Sequence, residues 1–363
     1  MNAIHAVIDL DDTQGLIAAD RDGLLRAASS AGAQVRATAA ALDEGALDSV
    51  RDQGRPRTVT WVAGRGTAET AGTMLAAALG GLADEPIVVT AEAPPWLGTL
   101  DVLIVAGDDP GDPALVGAAA SGVRRGARVV VVAPYEGPLR DTAAGRVAVL
   151  SPRLPVYDEF GLCRYLAAGL AALGSVDAKL RTDLAGLADQ LDAEALRNSA
   201  GRELFTNPAK TLAERMSGRR VALVGDSAAT LALARHGCSV LLRVAHQVAA
   251  AAGLVDAVAA LRSSAMSGPT GADALFHDEQ IDGPLPERLR VLALTLPGER
   301  TVVAARVAGL DNVDLIGAED VPDSSETPGS APTSPGARRA EQQLAILALR
   351  LEMAAVYLRL VRG

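Results

Sequence analysis

The sequence predicts an α/β protein built from two lobes, each a parallel sheet covered by helices on both faces. Short, continuous apolar runs alternate with stretches of helical spacing, which is the pattern of strands buried on both sides. The same order of strand, glycine turn and helix begins again near residue 220. The length of 363 residues also fits about two domains. Together these observations predict two α/β/α sandwiches in one chain.

The N-terminal segment, residues 1–50, is predicted to be helical, because apolar residues recur at three- and four-residue steps among Asp and Arg. The first lobe is expected over residues 51–176. Its predicted strands are apolar runs closed by Gly, Pro or Asp, at residues 58–62, 87–90, 102–105 and 129–132. The long apolar stretch 157–173 predicts a helix that ends this lobe.

A helical linker is predicted over residues 177–206, where leucines form one face of an amphipathic helix. Pro, Ser, Gly and Thr are concentrated in residues 319–339, a composition typical of a flexible linker. Residues 340–363 predict a C-terminal helix whose apolar stripe docks on the body. Between the two linkers lies the second lobe, residues 207–318, with strands expected at 220–224, 239–242, 289–294 and 313–316.

Composition and charge exclude several classes of function. The chain has 34 Lys and Arg against 44 Asp and Glu, a net charge of −10, so nucleic acid and anionic membrane surfaces are not expected partners. No apolar run reaches the ~18 residues of a membrane span. Cys163 and Cys238 lack the spacing of a metal site. We therefore expect both as reduced core residues of a soluble, cytoplasmic protein that uses no cofactor.

Two glycine-containing turns are candidates for binding an anion. Gly64-Arg-Gly-Thr67 lies between a predicted strand and a predicted helix, where glycines let backbone N–H groups approach a ligand and the helix N-terminus favours negative charge. Gly225-Asp-Ser227 has the equivalent place in the second lobe. Each is equally consistent with an ordinary strand-to-helix turn. The third glycine of the dinucleotide fingerprint is missing, which disfavours NAD.

An acidic loop, Gly107-Asp-Asp-Pro-Gly-Asp112, follows a predicted strand. Its three carboxylates could hold a divalent metal or cap the next helix. With Asp9 and Asp11 near the N-terminus, Asp108 supports an alternative hypothesis, a Mg²⁺-dependent phosphatase of the haloacid-dehalogenase type. Such enzymes use a basic residue, usually Lys, at the phosphate, and the sequence has no Lys before Lys179.

His277 is the histidine that we single out among four. It precedes Asp278 and Glu279 and follows a Ser- and Gly-rich stretch of the kind that often presents functional side chains. A histidine beside carboxylates suits general acid–base catalysis near neutral pH.

The two lobes, their glycine turns, the helical linker and the long last helix resemble tandem sugar-isomerase (SIS) domain proteins. The chain is similar to the bifunctional phosphoglucose/phosphomannose isomerases and most similar to their divergent actinobacterial relatives, the TobH-like proteins. The motifs that carry the resemblance are the Gly64 turn, residues 121–129 and Asn207-Pro-Ala-Lys210. A further motif, His277-Asp-Glu279, is similar to the family's His-Asn-Glu.

The resemblance implies a reaction and a set of residues. The family moves a proton between C1 and C2 of a sugar phosphate through an enediol, with a carboxylate as base and a histidine supplied across a dimer interface. It therefore implies a homodimer in which His277 assists ring opening. The family's base falls in residues 243–247, where His246 is the nearest counterpart. Its active-site Arg falls near Tyr157, with Arg153 and Arg164 close by.

The acidic loop departs from the family's pattern. The family binds phosphate with a Ser- and Thr-rich loop, whereas residues 106–113 here contain three carboxylates and two prolines in place of hydroxyl and amide donors. We therefore expect a sugar-phosphate-binding protein with a degraded isomerase site and a regulatory role beside sugar-phosphate enzymes; the alternative is an isomerase with a rearranged site. The candidate catalytic residues are His277, Glu279 and His246, and the candidate ligand-binding residues are Gly64, Arg65, Gly66, Thr67, Asp108, Asp109, Gly111, Arg153, Gly225 and Ser227.

Overall fold

The computed structural model describes residues 8–51, 53–267, 288–318 and 340–362. It contains two parallel β-sheets covered by helices, so the predicted fold class is confirmed. The predicted linker 319–339 and the residues His277 and Glu279 lie outside the described part of the chain. The strands are β1 (Thr58–Val62), β2 (Ile87–Thr90), β3 (Asp101–Ala106), β4 (Arg128–Val132), β5 (Ala148–Val149), β6 (Val221–Gly225), β7 (Ala250–Gly253), β8 (Arg290–Leu294) and β9 (Val313–Ile316).

The helices of the described residues alternate with these strands in each lobe and also form the N-terminal segment and the linker. They are α1 (Thr13–Ala19), α2 (Leu24–Ala28), α3 (Ala31–Asp43), α4 (Gly66–Leu79), α5 (Pro113–Arg125), α6 (Gly137–Ala143), α7 (Leu162–Val176), α8 (Leu184–Arg197), α9 (Pro208–Met216), α10 (Ala228–Ala245), α11 (Leu254–Ser267), α12 (Pro297–Val307) and α13 (Ala340–Arg362). None of them is long and apolar enough to cross a membrane.

The first sheet has the strand order β2-β1-β3-β4-β5, and every pair is parallel. Its central strands are almost completely buried, as their continuous apolar sequences predict. In this order the connections after β1 and β3 leave in opposite directions, which opens a crevice at the carboxyl ends of these two strands. The Gly64 turn and the acidic loop follow these strands and therefore meet at the crevice.

The second sheet repeats the pattern with four parallel strands in the order β7-β6-β8-β9. The strand predicted at 239–242 is wrong, because these residues lie inside α10. Val240 and Leu241 are buried there on the apolar face of the helix. The strand that pairs beside β6 is β7, whose alanine-rich sequence carries little strand propensity.

The lobes meet through α4 and α10, and α3 packs on α7 and α8. The last helix, α13, packs on the body as predicted, with contacts to α8, α9 and α10. It is buried on all sides rather than along one apolar stripe, and its buried residues include Glu341, Gln343, Arg350 and Glu352. The helix therefore belongs to the core of the molecule.

Buried ion pairs fix α13 in place. Arg350 Nε donates to Glu194 Oε1 at 2.9 Å, and its two terminal nitrogens donate to the carbonyls of Gly317 and Ala318 at 2.7 and 3.1 Å. His236 Nε2 lies 2.9 Å from Glu352 Oε1, and burial raises the pKa of this glutamate. A shift of the helix would leave buried charges unpaired, which is costly.

Both cysteines are free, with Cys163 buried and Cys238 half-buried. Burial raises the pKa of Cys238 to about 11 and raises the pKa of Cys163 well above its ordinary range. The two thiols are therefore protonated core groups near neutral pH, as predicted.

Candidate functional site

A cavity of about 440 Å³, which we call the crevice cavity, lies at the carboxyl ends of β1 and β3. The Gly64 turn forms one wall and the acidic loop forms the other. Arg243 of α10 reaches it from the second lobe. The structure thus brings together six of the predicted ligand-binding residues, namely Gly64, Arg65, Gly66, Thr67, Asp108 and Asp109.

The Gly64 turn leaves room and hydrogen-bond donors for a ligand. Gly66 has a φ of +70°, a conformation that favours glycine, and no atom lies within 4 Å of a Cβ built at Gly64 or Gly66. No side chain of the described residues caps the start of α4, so the N–H groups of its first turn are left for a ligand or water. Thr67 is only 6% exposed, and its Oγ1 has no hydrogen-bond partner among the described residues.

The acidic loop uses its own donors internally. The Gly111 N–H donates to Asp109 Oδ1 at 2.8 Å, and the Ala114 N–H donates to Asp112 Oδ1 at 2.8 Å at the start of α5. The prolines of the loop have no N–H to offer. Two carboxylates of the loop therefore already occupy backbone donors that would otherwise be open to an anionic ligand.

Asp108 is held at the centre of the site by two neighbours on α7. Arg164 Nη2 donates to Asp108 Oδ1 at 2.6 Å, and the Tyr165 hydroxyl donates to the same oxygen. The Arg164 guanidinium lies over the Tyr165 ring, 4.3 Å from its centroid. Burial raises the pKa of Tyr165, so the phenol stays protonated and remains a donor.

Asp158 and Glu159 come from the turn that precedes α7. Burial raises the pKa of Asp158, and the neighbouring carboxylates of Asp108 and Glu159 raise it further. Glu159 Oε1 pairs with Arg243 Nη2 at 2.7 Å, which ties the two lobes together at the site. Four Asp and two Arg line the crevice cavity, so its local charge is negative.

The other predicted ligand-binding residues lie outside the crevice cavity. Gly225 and Ser227 form the turn after β6, where the Ser227 hydroxyl caps α10 in a capping box with Thr230. Arg153 Nη1 donates to Glu44 Oε1 at 2.7 Å. Gly111 lies in the acidic loop, away from the cavity lining.

His246 is also outside the crevice cavity. It ends α10 with a φ of +52°, and its Nε2 hydrogen-bonds with Arg359 on α13. The other candidate catalytic residues, His277 and Glu279, lie outside the described residues. The predicted catalytic assignments therefore stay predictions.

The carboxylates of the phosphatase hypothesis are not gathered at one centre. Asp11 Oδ1 accepts the Leu204 N–H at 2.8 Å, and Asp9 accepts the N–H of Asp11. Asp108 is bound by α7, as described above. Within the described ranges, no group of three or more His, Cys, Asp or Glu side chains is placed to hold a metal ion.

Sequence reasoning missed several residues that build the site. Tyr165 lies in an apolar stretch whose pattern is typical of a core helix. Asp158 carries no motif. Arg243 lies in the very segment where a catalytic residue was expected, but the prediction chose His246 there. Arg243 lies in the last turn of α10 and reaches the crevice cavity, whereas His246 ends that helix and pairs with Arg359 of α13.

Solved structures share this architecture over nearly the whole chain. A Clostridium difficile protein with a provisional assignment as a phosphosugar isomerase superposes with a TM-score of 0.61 over 94% of this chain and 93% of its own, at 11% identity. The tagatose-6-phosphate ketose/aldose isomerase of Escherichia coli gives a TM-score of 0.60 over 93% and 91%, at 14% identity. The chain has the fold of the phosphosugar isomerases.

A third structure, a glucose-6-phosphate isomerase-like protein from Thermus thermophilus, gives a TM-score of 0.51 over 98% of this chain and 94% of its own, at 19% identity. These similarities extend through both lobes and establish the fold. No protein-family model matches the sequence, and no curated protein matches it either.

Proposed function

We propose that this protein binds a sugar phosphate, or a related anionic sugar derivative, at the crevice cavity without isomerising it. It would then act beside sugar-phosphate enzymes as an accessory or regulatory protein, as a homodimer in the cytoplasm. The shared fold supports the ligand class, since the structures it resembles include a tagatose-6-phosphate isomerase and a glucose-6-phosphate isomerase-like protein. The two-lobe organisation predicted from the sequence is part of this proposal.

The observation that carries the proposal is the position of Asp108. Its carboxylate takes the hydrogen bonds of Arg164 and Tyr165 at the carboxyl end of β3. A phosphate brought to the acidic loop would meet this carboxylate and two more, with few backbone donors left. Like charges this close repel by several kcal/mol near a protein surface, on the order of 4 kcal/mol at 4 Å. Binding in the manner of an active isomerase is therefore disfavoured.

The Gly64 turn supports binding of the anionic group on the opposite wall. It combines the uncapped N-terminus of α4 with the buried, unpartnered Thr67 hydroxyl. Arg65 and Arg243 also line this cavity, where they pair with Asp112 and Glu159 and offset part of its negative charge. A phosphate held there would lie beside donors rather than beside the acidic loop.

One observation favours a second candidate function, an aldose–ketose isomerase with a rearranged site. Asp158 lines the crevice cavity, and burial raises its pKa, which makes its carboxylate a stronger base. In this alternative Asp158 would carry the proton between C1 and C2, with His277 assisting ring opening.

The proposal is tested by calorimetric titration of wild-type protein with fructose-6-phosphate, mannose-6-phosphate and inorganic phosphate. Thr67→Val removes the unpartnered hydroxyl and is expected to weaken binding about tenfold, the effect of losing one hydrogen bond to a charged group. Thr73→Val is the matched control, because Thr73 lies on the same helix and donates only to the Glu69 carbonyl. Asp108→Asn is expected to strengthen phosphate binding about tenfold, since it removes one repelling charge.

A coupled isomerase assay on the same sugar phosphates separates the two candidates. Absence of turnover by wild-type protein that binds these ligands supports the accessory role. Turnover that Asp158→Asn and His277→Ala both abolish would instead establish the rearranged isomerase. Failure of every sugar phosphate to bind would overturn both.

A further inference from the structure

A second cavity, which shares Asp108 and Asp158 with the crevice cavity, lies between the N-terminal helix α3, the segment 150–156 and the start of α7. It has a volume of about 220 Å³, and we call it the Gln34 cavity. Much of its wall is apolar, including Ala37, Leu150 and Val156. Polar groups enter this wall at only a few points, and their hydrogen bonding shows what the cavity can take.

Gln34 presents a hydrogen-bond acceptor that no described residue satisfies. The side chain is almost fully buried, at 3% exposure, and its Nε2 donates to the Phe160 carbonyl at 3.0 Å and to Ser30 Oγ at 3.0 Å. A peptide carbonyl can only accept, so the orientation of this amide is fixed and the remaining atom is the oxygen. Gln34 Oε1 has no donor among the described residues. Buried polar atoms without a partner are rare in native proteins.

Arg164 presents the complementary donor. Its Nη2 is bound to Asp108, and its guanidinium is held over the Tyr165 ring, so the plane of the group is fixed. Nη1 is buried and has no partner in the part of the chain that the structure describes. Gln34 and Arg164 both line this one cavity. An unpaired acceptor and an unpaired donor on facing elements indicate a polar molecule between them.

The hydrogen-bond donors and acceptors that line the cavity indicate which kind of molecule could bind there. Besides Gln34 Oε1, the cavity is lined by the carboxylates of Asp108 and Asp158. Of the other polar groups in its wall, Arg153 has both terminal nitrogens bound to Glu44, and the Thr38 and Ser151 hydroxyls donate to backbone carbonyls. Among the described residues, Arg164 Nη1 is the buried donor of this wall that is left without a partner. The molecule must therefore donate more hydrogen bonds than it accepts, as hydroxyl and ammonium groups do. A phosphate group offers acceptors and negative charge and is unsuited to this cavity. The apolar wall suits the C–H face of a sugar ring.

We propose that the Gln34 cavity binds an unphosphorylated monosaccharide or amino sugar, whose hydroxyl or ammonium groups donate to Gln34 and Asp158 and whose ring oxygens accept from Arg164. The volume is smaller than the ~300 Å³ at which drug-sized pockets begin, which matches a single sugar ring rather than an oligosaccharide or nucleotide. This site goes beyond the proposed function, because it takes a ligand without phosphate and its lining contains no residue of the Gly64 turn.

The test is calorimetric titration of the full chain with D-glucosamine and D-mannose. Ala37→Phe places a ring in the cavity and is expected to weaken binding of these sugars at least tenfold. Ala40→Phe is the matched control on the same helix, because Ala40 is exposed and does not line the cavity. Gln34→Met keeps the length of the side chain and removes the acceptor, and about tenfold weaker binding is expected. Thermal melts of each variant confirm that it is folded.

The outcomes separate this proposal from the one at the crevice cavity. Sugar binding that Ala37→Phe removes, whether or not sugar phosphates bind, supports the Gln34 site. Binding of glucosamine and mannose that survives Ala37→Phe, or failure of both sugars to bind folded wild-type protein, overturns it. Sugar phosphates that bind with sensitivity to Thr67→Val but not to Ala37→Phe support the crevice site alone.

Discussion

Each lobe has a glycine turn after the corresponding strand of its sheet, β1 in the first lobe and β6 in the second. The surroundings of the two turns differ. After β1, the Gly64 turn leaves empty space around its glycines and a buried hydroxyl without a partner. After β6, a Cβ on Gly225 would lie 2.2 Å from the Leu231 nitrogen, and Ser227 caps its own helix. Asp226 completes the second turn by pairing with Arg306 at 2.5 Å.

This difference separates the two uses of a strand–glycine–helix turn. In the second lobe the glycine lets the helix pack against its strand, and the Asp226 and Ser227 side chains of the turn both have partners inside the protein. In the first lobe the glycines serve no packing contact, and polar groups stay available. A glycine turn is thus a ligand site where its space and donors are unused, and a structural turn where they are filled.

The largest expected loss of stability comes from substitution of Arg350. Its guanidinium holds the end of the second sheet by donating to the two carbonyls that follow β9. Arg350→Met should lower the free energy of unfolding by about 3 kcal/mol, because it leaves the buried Glu194 carboxylate without its main cation. Urea denaturation measures the loss. The double variant Arg350→Met with Glu194→Gln should recover much of it, and equal losses in the two proteins would contradict this account.

The next largest effect is expected when alanine replaces the glycine of each turn, Gly225 or Gly64. Gly225→Ala should destabilise the protein by about 2 to 3 kcal/mol, since the new methyl group meets the backbone of α10. Gly64→Ala should leave the melting temperature within about 1 °C of wild type, because no atom lies within 4 Å of its Cβ. A loss of stability in Gly64→Ala as large as that in Gly225→Ala would remove the distinction between the two turns.

The smallest effect is expected when the side-chain hydroxyl of each turn, that of Ser227 or Thr67, is removed. Ser227→Ala removes a helix cap and should cost about 1 kcal/mol of stability. Thr67→Val removes a buried hydroxyl that has no partner among the described residues, so it should be neutral or slightly stabilising in the absence of ligand. Thermal melts of the two variants without ligand decide this. A cost of 1 kcal/mol or more for Thr67→Val would mean that its hydroxyl is bonded inside the protein.

Much of the fold follows from local sequence. The buried strands β1, β3, β4, β6 and β8 are runs of Val, Ile and Leu bounded by turn residues, and each was predicted within a residue or two. The edge strand β7 could not be found, because its Ala-Ala-Ala-Gly sequence forms a strand only through pairing with β6. Residues 239–242 were misassigned because a short apolar run does not distinguish a strand from a buried helix. The domain limits stay a prediction.

The site was also predicted only in part, because some of its residues are recognisable from local sequence and others are not. The residues that follow β1 and β3 were found, since glycine and acidic turns are visible in sequence and parallel strands bring their carboxyl ends together. The site residues on α3, α7 and α10 were not predicted. Gln34, Tyr165 and Arg243 come to the site only through tertiary packing. The burial of the polar residues of α13 was not predicted, because their partners Glu194 and His236 lie far away in sequence.

The burial of α13 has a consequence for how the protein is made on the ribosome. Both sheets are complete at Ile316, whereas the helix that fills the space between α8, α9 and α10 ends at Arg362, about 46 residues later. At ~5 to 20 residues per second, this interval lasts about 2 to 9 seconds. During that time the apolar faces that α13 will cover are exposed on the nascent chain. Chaperone binding is therefore expected to peak after the second sheet has been translated and to fall once α13 has emerged.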